Sequence, residues 1–268
     1  MFHITIGIDP VIAHLGPLAL RWYSLAILMA IVIAVVVTKR EFQRKGLPLD
    51  RYDSLVLWTV AGGILGARLF HVLDRPGWYL ANPQQILAFD QGGLAIYGAV
   101  AGGFLTVAVL SRYYEIPFLP MIDAIAPGLL LAQAFGRFGC IVNGDAWGAP
   151  TSSPFAFVYT NPNAFLPHDL LGVPTHPYPV YDMALNLLVF AVIWRLRSHH
   201  LPAGVLFATF VAIYAPGRLL ISFVRQERIW FWGLQEAQVI ALVAGVVAIV
   251  TIGWLLARRR HVVPATAA

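Results

Sequence analysis

Ala237–Leu256 reads AQVIALVAGVVAIVTIGWLL, a run of 20 residues without a charged side chain. An α-helix rises about 1.5 Å per residue, so a helix of this length spans the roughly 30 Å hydrocarbon core of a bilayer. The whole chain is 59% hydrophobic and only 12% charged, whereas soluble domains carry about 25% charged residues. The composition therefore predicts an integral membrane protein.

Six further segments share this apolar character, which predicts an all-α, polytopic bundle of about seven transmembrane helices. They are Leu18–Val37, Leu55–Leu73, Leu94–Leu110, Met121–Ile141, Val180–Trp194 and Gly204–Phe223. We expect residues 1–268 to form a single membrane-embedded domain. Within it, residues 143–179 are expected to form an ordered outer loop and residues 262–268 a disordered tail.

Basic residues follow the first, third, fifth and seventh spans, on one side of the membrane if the helices alternate. They are Lys39, Arg40, Arg44, Lys45, Arg51, Arg112, Arg195, Arg197, Arg258, Arg259 and Arg260. An excess of Lys and Arg marks the cytoplasmic side. The N-terminus is then outside and the C-terminus cytoplasmic, as an odd number of spans requires. We assign the net charge of +5 to this anchoring and not to nucleic-acid binding.

A second set of arginines lies at the opposite, outer ends of the helices, where the same rule does not explain them. The set is Arg21, Arg68, Arg75, Arg137, Arg218, Arg225 and Arg228. Three of them, Arg68, Arg137 and Arg218, lie inside apolar segments, where a charge costs at least ~2.5 kcal/mol. Such charges face a protein interior or a watery cavity, and a guanidinium offers paired donors to a phosphate. The pattern favours an anionic ligand at the outer leaflet.

Two segments around these arginines leave alternatives open. In the loop Gly136–Gly148, Arg137 either binds an anion or pairs with Asp145 and merely holds the loop. Tyr214 lies one helical turn before Arg218, so the two share a face. Arg218 either binds the same anion or extends its guanidinium to the membrane surface.

Other polar or small residues also have alternative interpretations. The pair Gly92-Gly93 before the third span either binds an anion through its N–H groups or forms a tight packing turn. Asp123 is a proton relay, a helix-start charge or a partner to a buried dipole. His176 is either a titrating group or a loop anchor. The single cysteine, Cys140, is either a nucleophile or a small packing residue.

The loop Gly136–Gly148 resembles the signature of the prolipoprotein diacylglyceryl transferase family. The matching residues are Gly136, Arg137, Gly139, Asn143 and Gly148, whereas Cys140 and Asp145 stand where members often have Asn and Glu. Tyr97 replaces a histidine common in the family, and Asp182 and Ser222 stand where Glu is common. Further resemblances occur in order along the chain: Arg21-Trp22-Tyr23, Gly66-Ala67-Arg68-Leu69, Gln91–Gly98, Asp123 with Pro127, His176-Pro177 with Tyr181, Tyr214 with Arg218 and Arg225, and Gly233–Gln238.

This resemblance implies a lipid-modifying transferase. Such an enzyme moves the diacylglyceryl group of phosphatidylglycerol onto the lipobox cysteine thiol of a preprolipoprotein, forming a thioether and releasing glycerol 1-phosphate. The implied location is the bacterial cytoplasmic membrane, with the active site toward the outer leaflet. The implied partners are phosphatidylglycerol, preprolipoprotein signal peptides with a lipobox cysteine, and membrane lipids. No metal, cofactor or nucleic acid is expected.

The resemblance also implies roles for individual residues. We expect Arg137 and Arg218 to stabilise the leaving phosphate, with Tyr97 as a third catalytic candidate that acts as a base or orients the headgroup. The substrate-binding candidates are Tyr23, Arg68, Gly92, Gly93, Gly98, Asn143, Asp145, Gly148, His176, Tyr214 and Arg225.

Besides a structural membrane scaffold, which would not need several arginines in apolar helices, two other functions are compatible with this chain. A membrane transporter would place ionisable residues at several depths and show internal repeat symmetry. Another phospholipid head-group enzyme, such as a metal-dependent phosphatase, would cluster Asp, Glu or His ligands. The sequence shows neither pattern, and both functions remain alternatives at this point.

Overall fold

The computed structural model describes residues 3–16, 18–88, 92–227 and 229–262. Gln91, Arg228 and residues 263–268 of the expected tail lie outside them. Seven helices in the described part are long and apolar enough to cross a membrane, which confirms the predicted fold class. Backbone contacts group the chain into two units. The first runs from the N-terminus to Thr38 and resumes at Ile122, and the second is Lys39–Met121.

The residue ranges of the seven long helices are similar to those of the predicted segments. The structure also contains one short helix, α3, that was not predicted. The helices are α1 (Trp22–Arg44), α2 (Tyr52–Asp74), α3 (Pro76–Ala81), α4 (Ile96–Tyr113), α5 (Phe118–Asn143), α6 (Tyr178–Leu196), α7 (Val205–Ser222) and α8 (Glu236–Val262). Short strands, which the sequence analysis missed, lie outside the helices. They are β1 (Ile4–Ile6), β2 (Val11–Leu15), β3 (Leu18–Arg21), β4 (Phe157–Tyr159), β5 (Ile229–Phe231) and β6 (Leu234–Gln235).

The first span begins later than predicted. The predicted start, Leu18, lies in β3, which pairs with β2 in an antiparallel hairpin. Gly16 has a φ of +62°, a conformation that glycine adopts without steric cost, and it allows the chain to reverse there. The apolar residues at the start of the predicted span therefore belong to a hairpin, and the helix begins at Trp22.

The loop between α5 and α6, which the sequence predicts to be the outer loop, has a small hydrophobic core of its own. Its strand β4 pairs in parallel with β1 from the N-terminal segment. The buried side chains of this core are Ile6, Phe157, Tyr159, Leu166 and Leu170. The N-terminal segment and the loop thus stabilise each other through both a backbone ladder and apolar burial.

Asp123 of α5 caps a different helix, α7. Its carboxylate oxygens accept hydrogen bonds from the backbone N–H groups of Gly204 and Phe207, each at 2.8 Å. These N–H groups belong to the first turn of α7, where no intrahelical acceptor exists. The side chain is only 2% exposed. The interpretation of Asp123 as a partner for a buried helix dipole is therefore confirmed.

In the second unit, α2 and α4 approach each other through glycines. A Cβ on Gly98 would overlap the carbonyl oxygen of Gly66 and the Cβ of Phe70. A Cβ on Gly102 would lie 2.9 Å from the Cα of Gly66. Small residues of this kind let membrane helices pack backbone against backbone.

Candidate functional site

Arg137 lies near the C-terminal end of α5 and makes an ion pair with Asp182 of α6. Its Nη2 contacts Oδ2 of Asp182, and its Nη1 donates a hydrogen bond to the sulfur of Cys140 at 3.6 Å. The Asp182 side chain is 1% exposed and that of Arg137 is 23% exposed. The carboxylate that pairs with Arg137 is thus Asp182. The alternative prediction, in which Arg137 pairs with Asp145 to hold the loop, is wrong about the partner.

Asp182 connects three helices at one point. The hydroxyl of Tyr214 on α7 donates to its Oδ1 at 3.3 Å. Asn186, one turn further along α6, donates from Nδ2 to the backbone oxygen of Asp182 at 2.8 Å and to its Oδ1 at 3.4 Å. Hydrogen bonds to the remaining lone pairs stabilise a buried ion pair, and Tyr214 and Asn186 supply them at Oδ1.

Three arginines converge on the ring of Tyr178, the first residue of α6. Their guanidinium carbons lie 6.0 Å (Arg137), 5.4 Å (Arg218) and 4.9 Å (Arg225) from the ring centroid. Tyr178 is fully buried. The negative face of an aromatic ring attracts cations at such distances. The ends of α5 and α7 and the segment after α7 therefore place three predicted site residues around one side chain.

Carboxylates lie against guanidiniums of this cluster. Arg137 has Asp182, and Arg225 has Glu227, with 2.9 Å between Nη1 and Oε1. Like charges in a partly desolvated space repel each other more strongly than in water, because the dielectric constant there is lower. A bound anion with several oxygens would relieve this repulsion and accept hydrogen bonds from more than one guanidinium.

The loop after α5 begins with Asn143 and Gly144. Gly144 has a φ of +73°, which ends the helix and turns the chain. Asn143 is 5% exposed, and its Oδ1 accepts no hydrogen bond within the described part of the chain. Burial raises the pKa of the neighbouring Asp145 carboxyl above its usual value, because the charged form loses hydration. The loop thus adds polar groups beside the arginines.

Gly148 fixes the backbone of Arg225 and the segment before α6. It forms an antiparallel bridge with Arg225, and the next residue, Ala149, accepts a hydrogen bond from the N–H of His176 at 2.9 Å. A Cβ on Gly148 would lie 2.6 Å from the Cβ of His176, so only glycine fits. Nδ1 of His176 lies 3.3 Å from the hydroxyl of Tyr181. These contacts favour the interpretation of His176 as a loop anchor.

Tyr23 and Cys140 lie beside the same cluster. A Cβ on Gly139 would lie 3.1 Å from the Cα of Tyr23, so α1 and α5 approach closely here. Cys140 is buried with Tyr178 in a small core against which Tyr23 packs. This environment favours the interpretation of Cys140 as a packing residue.

In the second unit, Arg68 of α2 binds backbone carbonyls. It is 5% exposed and donates five hydrogen bonds at 2.5–3.0 Å. The acceptors are the backbone oxygens of Gln85, Ile86, Ala88, Gly92 and Gly93. A guanidinium has five N–H donors in all. In this conformation Arg68 therefore holds the segment before α4, and its expected binding of substrate stays a prediction.

The glycine pair before α4 is a turn that packs on Arg68. Gly92 and Gly93 have φ values of +80° and +73°, and α4 begins three residues later, at Ile96. Their carbonyls accept hydrogen bonds from Arg68, and a Cβ on Gly93 would lie 2.6 Å from Nη1 of this arginine. The packing interpretation is thus favoured over an anion site. Tyr97 follows Ile96, with its ring 6.4 Å from that of Phe70. Its catalytic role stays a prediction.

Two residues of the arginine cluster are not among the site residues predicted from the sequence. Tyr178 and Asp182 lie four residues apart at the start of α6 and so share a helical face. An acidic residue inside an apolar span was a signal that Asp182 faces a buried cation. Tyr178 gave no such signal, since tyrosine is ordinary at a membrane interface. Within the described ranges, no three His, Cys, Asp or Glu side chains are grouped so as to hold a metal ion.

Comparison with known proteins gives consistent matches over nearly the whole chain. Residues 10–254 match the family model described as prolipoprotein diacylglyceryl transferase. Proteins named phosphatidylglycerol–prolipoprotein diacylglyceryl transferase are similar to it. One from Lysinibacillus sphaericus is 34% identical over 98% of this chain and 96% of its own length. One from a Nostoc species is 35% identical over 94% of this chain and 90% of its own. One from Symbiobacterium thermophilum is 34% identical, with 94% of each covered.

Proposed function

The chain belongs to the prolipoprotein diacylglyceryl transferase family, and we propose that it transfers the diacylglyceryl group of phosphatidylglycerol to the lipobox cysteine thiol of preprolipoproteins. This transfer is the first step of lipoprotein maturation. The products are a thioether-linked lipoprotein precursor and glycerol 1-phosphate. The family assignment favours this transfer over the two alternatives, a membrane transporter and another phospholipid head-group enzyme.

One structural observation supports this proposal above the others. The guanidiniums of Arg137, Arg218 and Arg225 converge on Tyr178. An arginine fork matches a phosphate because it offers two parallel N–H donors. Arg137 and Arg218 lie inside apolar helices, which suits a phospholipid whose headgroup phosphate must be bound beside the bilayer.

The reaction requires a carbon–sulfur bond to form and a carbon–oxygen bond to break. The thiolate of the substrate cysteine attacks the glyceryl carbon that carries the phosphate ester. The electron pair of the carbon–oxygen bond leaves with the phosphate, which gains one negative charge as glycerol 1-phosphate. Preorganised cations in a low-dielectric site stabilise this charge more in the transition state than in the ground state. We assign that role to Arg137 and Arg218.

The proton of the substrate thiol must also be removed, because the thiolate is the nucleophile. The field of the three guanidiniums favours the thiolate over the thiol. Tyr97 and Tyr214 are proposed to orient the headgroup by hydrogen bonds. Alternatively, Tyr97 acts as the base that removes the proton of the thiol. Tyr214 already donates to Asp182, which fixes its ring beside Arg137.

We place the enzyme in the bacterial cytoplasmic membrane, with the N-terminus and the arginine cluster at the outer side. The distribution of Lys and Arg after the odd-numbered spans supports this orientation. A site at the outer leaflet can accept phospholipid from the bilayer and a signal peptide whose cysteine has crossed the membrane.

The direct test uses the full-length protein in nanodiscs that contain phosphatidylglycerol, with a lipobox peptide as acceptor and mass spectrometry as the readout. We expect the peptide to gain the mass of one diacylglyceryl group. A peptide with Cys→Ser should gain nothing, because its hydroxyl is a much weaker nucleophile than a thiolate. Arg137→Ala should abolish the gain.

The matched control is Arg195→Ala. Arg195 is an exposed arginine at the C-terminal end of α6, whereas Asp182 lies near the N-terminal end of the same helix. This variant should transfer at the wild-type rate. A wild-type protein that folds but adds no mass, while a known family member does so under the same conditions, would refute the proposed function.

A further inference from the structure

Tyr178 is more buried than its position at the start of a membrane helix requires. Its side chain is 0% exposed and packs with Cys140 and Ala146. Three guanidiniums lie within 6.0 Å of its ring centroid. The ring therefore stands in the space that the arginines share.

The hydroxyl of Tyr178 is also unusual, because it is buried without a hydrogen bond within the described part of the chain. Its oxygen is buried and forms no hydrogen bond with any residue that the structure describes. A buried polar group without a partner destabilises a fold, and nearly all such groups in native proteins are satisfied. Phenylalanine would fill almost the same volume without that cost. The three guanidiniums against the ring can only donate, so the hydroxyl needs an acceptor other than these side chains.

An anionic acceptor between the arginines and this hydroxyl would make the strongest hydrogen bonds, because hydrogen bonds between charged groups exceed neutral ones. A phosphate oxygen satisfies both requirements, because it accepts from a guanidinium and from a neutral hydroxyl. Tyr159 shows the contrast, since it is equally buried but donates its hydroxyl to the backbone oxygen of Ile141 at 3.0 Å. Burial alone thus does not explain why Tyr178 lacks a partner.

We infer that Tyr178 contacts the substrate, with its hydroxyl donating a hydrogen bond to the phosphate that Arg137, Arg218 and Arg225 bind. The inference rests on the proposed function, since it takes the headgroup phosphate of phosphatidylglycerol as the ligand. It adds a neutral donor to the cationic ones. This donor also contacts the departing glycerol 1-phosphate.

The test compares Tyr178→Phe, Tyr178→His and wild type in the peptide assay, with glycerol 1-phosphate as an added inhibitor. We expect Tyr178→Phe to weaken inhibition by glycerol 1-phosphate about tenfold, the effect of losing one hydrogen bond to a charged group. The KM for phosphatidylglycerol should rise with it, while the KM for the lipobox peptide stays constant. Tyr178→His keeps a ring with an N–H donor, so it should bind the inhibitor more tightly than the phenylalanine variant.

A purely structural role would give the reverse order, because phenylalanine preserves the volume and apolarity of the core better than histidine. Tyr159→Phe is the matched control and should leave inhibition by glycerol 1-phosphate unchanged. Inhibition of Tyr178→Phe within about twofold of wild type would overturn the inference. If the wild-type protein transfers the diacylglyceryl group and Tyr178→Phe is inhibited normally, only the inference about Tyr178 is refuted. If the wild-type protein transfers nothing, the proposed function is refuted.

Discussion

The guanidinium of Arg137 and the carboxylate of Asp182 form an ion pair between α5 and α6, with the acid almost completely buried. Removing one partner of a buried pair leaves the other charge uncompensated, which costs about 3–5 kcal/mol. Because Arg137 is 23% exposed, water screens part of this cost. We expect Asp182→Ala to lower the free energy of unfolding by about 2–3 kcal/mol, measured by denaturation in detergent.

The control for Asp182 is Asp53, whose ion pair with Lys39 is exposed. Asp53→Ala should cost less than about 1 kcal/mol. The double variant Arg137→Ala, Asp182→Ala should be more stable than the sum of the single losses predicts, since no charge is then left alone. Additive losses would show that the two side chains do not stabilise each other.

Arg218 is expected to need its guanidinium and not only its charge. Arg218→Lys keeps the charge but loses the planar pair of donors. We expect kcat/KM for phosphatidylglycerol to fall about 100-fold in the mass assay, as when one preorganised transition-state donor is removed. Arg195→Lys on α6 provides the control and should retain wild-type kinetics. Full activity of Arg218→Lys would refute a bidentate role.

The spans were predictable because a bilayer demands long apolar segments, which remain visible in one sequence. The intramembrane cost of charge likewise identified Arg137 and Arg218 as unusual. The hairpin that replaces the start of the first span was not predictable, because apolar residues suit both a strand and a helix over so few positions. The partner of Arg137 was also missed, since Asp145 is close in sequence whereas Asp182 is close only after α5 and α6 pack together.

Arg68 should stabilise the segment before α4 through its five hydrogen bonds to carbonyls. Lysine offers one nitrogen with three donors, so Arg68→Lys loses at least two of these bonds. We expect limited proteolysis between Gln85 and Gly93 to become at least about tenfold faster, because each bond to a charged donor contributes about 1.5–3 kcal/mol. Arg75→Lys, at an exposed position just after α2, should not change the cleavage rate. Equal rates for both variants would contradict this role.

Asp145 should make stability depend on pH. Its pKa in the folded protein is raised above the ordinary value of 3.8, so the folded state binds the proton more tightly than the unfolded state. Stability from this carboxyl is therefore complete below pH 3.8 and declines as the pH rises through the folded pKa. We expect Asp145→Asn to raise the Tm at pH 7, with the difference shrinking toward pH 4. A lower Tm at pH 7 would show that the charged form is the one the fold stabilises.

Gly98 tests whether the glycines of the second unit serve packing or substrate binding. A methyl group there would overlap the Gly66 carbonyl and Phe70, so Gly98→Ala must separate α2 from α4. We expect it to cost about 1–3 kcal/mol, as over-packing does, and to lower activity only through the folded fraction. Gly103→Ala on the same helix is the control, since its Cβ would come no closer than 3.9 Å to Thr59, and it should leave the Tm unchanged or raise it. The readouts are the Tm and the KM for phosphatidylglycerol. A normal Tm with a raised KM in Gly98→Ala would assign this glycine to substrate binding.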